Sequence, residues 1–137
     1  MKIMRSLFLL PFLIGFSGSA FADSETFKID VSADGYRDYI LSGTDRNGSV
    51  SGNDPTVTFN KVDIIIFDVD AFRHPFYIKT EFFRGGGDQL TTGIISGNPG
   101  TQDGKLSWNT KDVSKGKYYY VCSPHAPFGM GGSIIIE

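Results

Sequence analysis

Turn-forming residues interrupt the chain so often after Asp23 that no segment keeps a helical period for even about ten residues. The stretches Gly43 to Gly52, Gly85 to Asp88, Gly97 to Gly104, and the residue Gly116, all supply positions tolerant of positive φ. Between these breaks, β-branched and aromatic residues cluster. The expected strands are Thr26–Val31, Asp38–Ser42, Thr56–Phe59, Val62–Val69, Pro75–Thr80, Gly93–Ser96, Lys105–Trp108, Lys117–Cys122 and Ser133–Ile136. In the first of them Phe27, Ile29 and Val31 alternate onto one face. About eight or nine short strands and no helix predict an all-β fold, a sandwich of two sheets.

The N-terminus has a different pattern. Lys2 and Arg5 precede an apolar run from Leu7 to Phe16, and Ala20-Phe21-Ala22 offers a small-x-small cleavage site. This reads as a secretory signal peptide over 1–22, followed by one domain over 23–137. The alternative, an uncleaved anchor, needs about twenty apolar residues, and this run has about ten. The next most apolar segments, Val62 to Phe67 and Ser133 to Ile136, are strand-sized, so no membrane span is expected in the mature chain. The mature protein is expected to be soluble and exported, periplasmic or otherwise extracytoplasmic. Removing Lys2 and Arg5 from the 13 basic residues leaves 11 against 15 acidic ones, a balance that disfavours a nucleic-acid partner.

Exported domains of this size usually carry cysteines in pairs, yet Cys122 stands alone and no internal disulfide can form. A free thiol in an oxidising compartment calls for deep burial or for a metal. In the mature chain the residues able to bind a soft or borderline metal are His74, Cys122, His125 and Met130. Three of them fall within nine residues, spaced Cys-x2-His-x4-Met, in a loop between two expected strands. His74 stands before the strand Pro75–Thr80, where a neighbouring loop could complete the site.

A thiolate and two imidazoles with a distant thioether favour a blue copper centre. Structural zinc usually takes four Cys or His ligands, and three exist here. One cysteine excludes a dinuclear copper site with two bridging thiolates and a Cys-x2-Cys-His haem attachment. A catalytic Cys-His pair and a purely structural role stay open, though the first leaves Met130 and His74 unexplained.

The string Gly116-Lys117-Tyr118-Tyr119-Tyr120-Val121-Cys122-Ser123-Pro124-His125, with Gly129-Met130-Gly131-Gly132 and the terminal strand, resembles the plastocyanin-like cupredoxins, small blue copper proteins. The loop spacing is similar to that of plastocyanin and pseudoazurin, and His74-Pro75-Phe76-Tyr77-Ile78 looks like the segment carrying the family's first histidine ligand. The resemblance spans most of the mature chain. It implies a Greek-key sandwich of about eight strands, one copper ion per chain, His74, Cys122 and His125 as equatorial ligands, and Met130 as axial ligand. The implied activity is one-electron transfer without substrate turnover. Two positions depart from the plastocyanin pattern: Val121 replaces a tyrosine, and Pro75 an asparagine. Because Pro75 and Pro124 have no N–H, the Cys122 sulfur is expected to be poor in N–H donors.

The remaining conspicuous residues have plain readings. Trp108 is expected in the core. Tyr118 and Tyr120 should share the inward face with Cys122, while Tyr119 and Val121 face the other way. Gly85-Gly86-Gly87 lacks the residues of a phosphate loop and reads as a turn, and Asp68 and Asp70 are expected on the solvent face. Pro124, Ala126, Pro127 and Phe128 around His125, with Pro75 and Phe76 beside the other histidine, suggest an apolar patch where redox partner proteins dock transiently. The chain is expected to be a monomer. The competing function is copper carriage or buffering, with delivery to another extracytoplasmic protein.

Overall fold

A computed structural model describes residues 23–137 together with Gly15 and Gly18. The expected signal peptide over 1–22 otherwise lies outside the described residues. Ten strands follow in order: β1 Thr26–Asp34, β2 Asp38–Asp45, β3 Gly48–Asn53, β4 Val57–Phe59, β5 Ile64–Asp70, β6 Phe76–Lys79, β7 Ile94–Ser96, β8 Asp103–Asn109, β9 Gly116–Cys122 and β10 Gly131–Ile136. They form a six-stranded sheet in the order β3-β2-β1-β5-β8-β7 and a four-stranded sheet in the order β4-β10-β9-β6. Pairing is antiparallel except for β1 with β5 and β4 with β10. Among the described residues no helix is long and apolar enough to cross a membrane.

Side-chain alternation builds the core. Phe27, Ile29 and Val31 of β1, Tyr39 and Leu41 of β2, Ile65, Phe67 and Val69 of β5, and Leu106 and Trp108 of β8 all point inward. They meet Phe76 and Ile78 of β6, Tyr118, Tyr120 and Cys122 of β9, and Ile134 and Ile136 of β10. Each such aliphatic or aromatic side chain contributes about 1.5–3 kcal/mol by leaving water. Trp108 is in the core, and its indole N–H donates to the Thr92 carbonyl. Asp68 and Asp70 are on the outer face of the first sheet, as the alternation predicts.

Six strands (β1, β2, β5, β8, β9 and β10) extend beyond an expected end, and β3 lies within a segment the sequence reads as a break. It pairs antiparallel with β2 through the two-residue turn Arg46-Asn47, after which Gly48 takes φ 114°. As an edge strand it buries only Val50, so it shows little of the apolar alternation that marks β1. Gly43 is needed for close approach within this sheet: a Cβ there would lie 2.3 Å from the Lys28 carbonyl oxygen.

The segment between β6 and β8 crosses the outer face of the second sheet. Phe82 packs edge-on against Tyr119, and Gly86 and Gly100 lie against the Tyr77 ring. Lys79, on that outer face, is fully buried; its ammonium pairs with Asp88 and donates to the Phe83 and Gly85 carbonyls. With all three donors used, a buried cation becomes tolerable.

Candidate metal centre

The long β9–β10 connection is closed by its own backbone. The Cys122 N–H donates to the Met130 carbonyl and the His125 N–H to the Cys122 carbonyl, at 3.1 and 3.2 Å. Pro127 is the second residue of a single 3-10 turn over Ala126–Phe128, where its missing donor costs nothing. Gly129 ends that turn at φ 88°, a left-handed cap glycine accepts without steric cost. The loop thus returns the chain to β10 in eight residues and turns His125 toward Cys122.

His74 arrives from the other side, at the end of the β5–β6 turn. Its N–H donates to the Ala71 carbonyl, and the preceding Arg73, at φ 69°, is braced by donating its N–H to Gln102 Oε1. Phe76 pairs with Cys122 in the β6–β9 register, which brings the two segments level. Across the turn, the Ser123 N–H donates to the Pro75 carbonyl at 3.3 Å. Ser123 Oγ also accepts from the Gly85 N–H at 2.9 Å, tying the crossing segment to the residue that follows the cysteine.

These elements bring three of the expected donors together. His74 Nδ1 and His125 Nδ1 are 3.0 Å apart, and Cys122 Sγ is 3.6 and 3.4 Å from them. The fourth, Met130, is fully buried in the adjoining core at the end of the same loop, immediately before β10 rather than within it. A point equidistant from the three donor atoms lies about 1.9 Å from each, close to the roughly 2.0–2.3 Å of metal–imidazole and metal–thiolate bonds. The donor set therefore fits one soft or borderline ion. Two imidazoles, one thiolate and a thioether also match copper's preferences better than those of structural zinc.

The surroundings keep the site preformed and poorly hydrated. Burial, and secondarily His125, lower the pKa of His74, so a neutral ring ready to ligate is favoured. Burial raises the Cys122 thiol, while the His125 backbone N–H and the Tyr39 hydroxyl pull it back down. A metal ion must therefore displace the thiol proton. Pro75 and Pro124 contribute no N–H, and the hydrogen bond of the His125 N–H goes to the Cys122 carbonyl at 3.2 Å.

Two contributors escape the sequence reading. Tyr39, fully buried, donates its hydroxyl proton to the His74 carbonyl at 2.8 Å. Asp54, at φ 45°, accepts from the N–H groups of Tyr39 and Gly131 and so joins β2 to the end of the ligand loop. Strand alternation marks Tyr39 only as inward-facing, and nothing local marks Asp54.

The edge of the site facing solvent is apolar. Tyr36, 48% exposed, and Phe128, 56% exposed, pack edge-on at 5.2 Å, and both flank the His125 ring. Phe128 is part of the patch the sequence suggests; Tyr36 joins it from the β1–β2 turn.

No family model and no curated relative matches the chain. Among solved structures, the fold is similar to that of the copper protein rusticyanin. One structure gives a TM-score of 0.51 at 21% identity, covering 84% of this chain and 80% of that one. Reduced rusticyanin gives 0.51 at 20% identity, covering 88% and 89%. The chain has the cupredoxin fold.

Proposed function

We propose that the protein is a mononuclear type 1 copper protein that carries single electrons between redox partners, with His74, Cys122 and His125 as equatorial ligands and Met130 as the weak axial one. The observation that carries this reading is the triangle of two Nδ1 atoms and one Sγ, each side 3.0 to 3.6 Å long, formed by residues from two separate loops. Copper bound there would supply the one-electron change between Cu(I) and Cu(II).

The chain's own residues supply the rest. Cys122, fully buried at the end of β9, keeps its sulfur away from water and from other thiols. The backbone bonds that close the loop hold the donors in one arrangement, which keeps reorganisation between oxidation states small. His125 lies under the Tyr36–Phe128 rim, where a partner can approach with few polar groups to desolvate. Both histidines of the sequence are already in the triangle. No imidazole is left for a second metal at which a substrate would react, and the reading is a carrier without turnover of its own. The N-terminal pattern over 1–22 supports export of this carrier from the cytoplasm.

Copper delivery uses the same ligands but requires ready exchange. With the thiol buried and four donors in place, an incoming acceptor ligand has no open position, and retention is expected. Repeated chemical oxidation and reduction in the presence of an apo acceptor protein distinguishes the two. A carrier keeps its copper over many cycles; transfer of Cu(I) to the acceptor faster than to a small chelator of matched affinity identifies a delivery protein.

A further inference from the structure

Strand alternation turns Tyr77 and Lys79 of β6 outward, the reverse of Phe76 and Ile78. An outward lysine is ordinarily solvated, yet Lys79 has no exposed surface. The three partners of its ammonium all come from residues 83–88: Asp88 Oδ1 at 2.6 Å, the Phe83 carbonyl at 2.6 Å and the Gly85 carbonyl at 2.7 Å. Covering a sheet does not require this, since an apolar side chain of the same length fills the space without desolvating a charge. What the ammonium adds is direction. Gly85 takes φ 90°, a left-handed conformation that glycine accepts freely, and its two polar groups reach different partners. Its carbonyl accepts from Lys79, and its N–H donates to Ser123 Oγ at 2.9 Å. The Ser123 N–H in turn donates to the Pro75 carbonyl at 3.3 Å. Lys79, Gly85, Ser123 and Pro75 therefore form one hydrogen-bonded line, which passes beside Cys122 and ends beside His74.

We infer that Lys79 is a positioning residue of the metal centre: it pegs residues 81–88 as a strap through which Ser123 holds the cysteine loop against the histidine turn. The inference rests on the copper reading above. None of the four residues in the line is a metal donor, so the line acts on the spacing of the donors and not on their chemistry. Phe82, edge-on to Tyr119 at 5.8 Å, and the Leu90 N–H, donating to the Ile78 carbonyl at 2.7 Å, fix the two ends of the strap without Lys79. Loss of the ammonium therefore frees the middle of the strap, where Gly85 meets Ser123.

The test compares the full chain as wild type, Lys79→Met, Ser123→Ala, the double variant and Asp63→Ala. Methionine keeps the apolar stem and removes the ammonium, whereas alanine at 123 cuts the line at its other end with the peg intact. Asp63→Ala is the control for lost stability alone, because Asp63 pairs with Arg46 at the far end of β5 from the His74 turn. Two quantities are read: the rate at which the copper-loaded protein gives up Cu(I) to an excess of a small chelator, and hydrogen exchange at the Gly85 amide of the metal-free protein. Each single strap variant should lose copper about fivefold faster, the equivalent of one ordinary hydrogen bond. The double variant should be no faster than the faster single one, because both changes cut the same line. The Gly85 amide should exchange faster than wild type in all three strap variants, and Asp63→Ala should lose copper at the wild-type rate. Wild-type copper loss in both single variants, additive effects in the double variant, or an equal acceleration in Asp63→Ala overturns the inference. If Lys79→Met does not fold, Ser123→Ala decides: copper loss at the wild-type rate there overturns it. A wild type that never turns blue with Cu(II) overturns the copper reading instead, and the amide exchange, read without metal, still decides whether Lys79 pegs the strap.

Discussion

The Arg46 guanidinium grips the Asp63 carboxylate from the side, Nη2 2.6 Å from Oδ1 and Nε 2.9 Å from Oδ2, although the carboxylate has no exposed surface. The N–H groups of Glu25 and Asn60 complete its shell, so a charge that would be costly alone is fully paired. Burial by itself pushes this carboxyl up, but Arg46 and the two N–H donors outweigh it and hold it below the ordinary range. The stability it contributes is present above the unfolded carboxylate pKa of about 4 and is lost as pH falls below that. Asp63→Ala should lower stability at pH 7 by about 3 kcal/mol, because the Glu25 and Asn60 N–H groups lose their acceptor and Arg46 keeps only Glu25 and the Asp23 carbonyl, a loss that narrows toward pH 2. Denaturant melts of the apoprotein at both pH values check this; a loss that does not change with pH would contradict it.

Asp54 works in the opposite sense. Burial, which dominates, and the nearby Asp38 carboxylate raise its pKa to about 6 despite the two N–H donors. The folded state then binds more protons than the unfolded one between about pH 4 and 6, so stability falls as pH rises through that window. Asp54→Asn keeps an acceptor oxygen and removes the charge, and asparagine tolerates φ 45° at least as well. The variant should exceed the wild type by about 1 kcal/mol at pH 7, a figure discounted for partial exposure. The two should converge near pH 4. Equal stabilities at pH 7 would place no cost on this carboxylate.

The patch at His125 gives a kinetic prediction. Phe128→Glu and Tyr36→Glu each put a charge on the apolar rim without touching the donor atoms. Each should slow electron exchange with a native partner by about tenfold, about 1.4 kcal/mol of encounter free energy, and leave the visible spectrum unchanged. Stopped-flow exchange with rates equal to wild type in both variants would move docking to another face.

How much of this was legible beforehand depends on what kind of information each residue carries. The Cys122-to-Met130 loop stands out because its residue types are scarce and close in sequence. β1 announces itself through Phe27, Ile29 and Val31. β3 does not, because an edge strand with one buried valine needs little apolar pattern; its nearest signal is Asn47-Gly48 at the hairpin turn. Alternation gives the outward face of Val121 and Lys79 but not what covers it. Both are buried because a long connection returns across that face, a long-range fact. Tyr39 meets His74 only when β2 of one sheet closes over the turn before β6 of the other, and no local sequence pattern records that contact.

The most direct test of the central claim is a titration of the purified mature apoprotein with Cu(II), followed by visible absorption. A thiolate held with two imidazoles around one ion predicts an intense blue band that saturates at one copper per chain and disappears in Cys122→Ser. Saturation without a blue band, or a band that survives in Cys122→Ser, would contradict it.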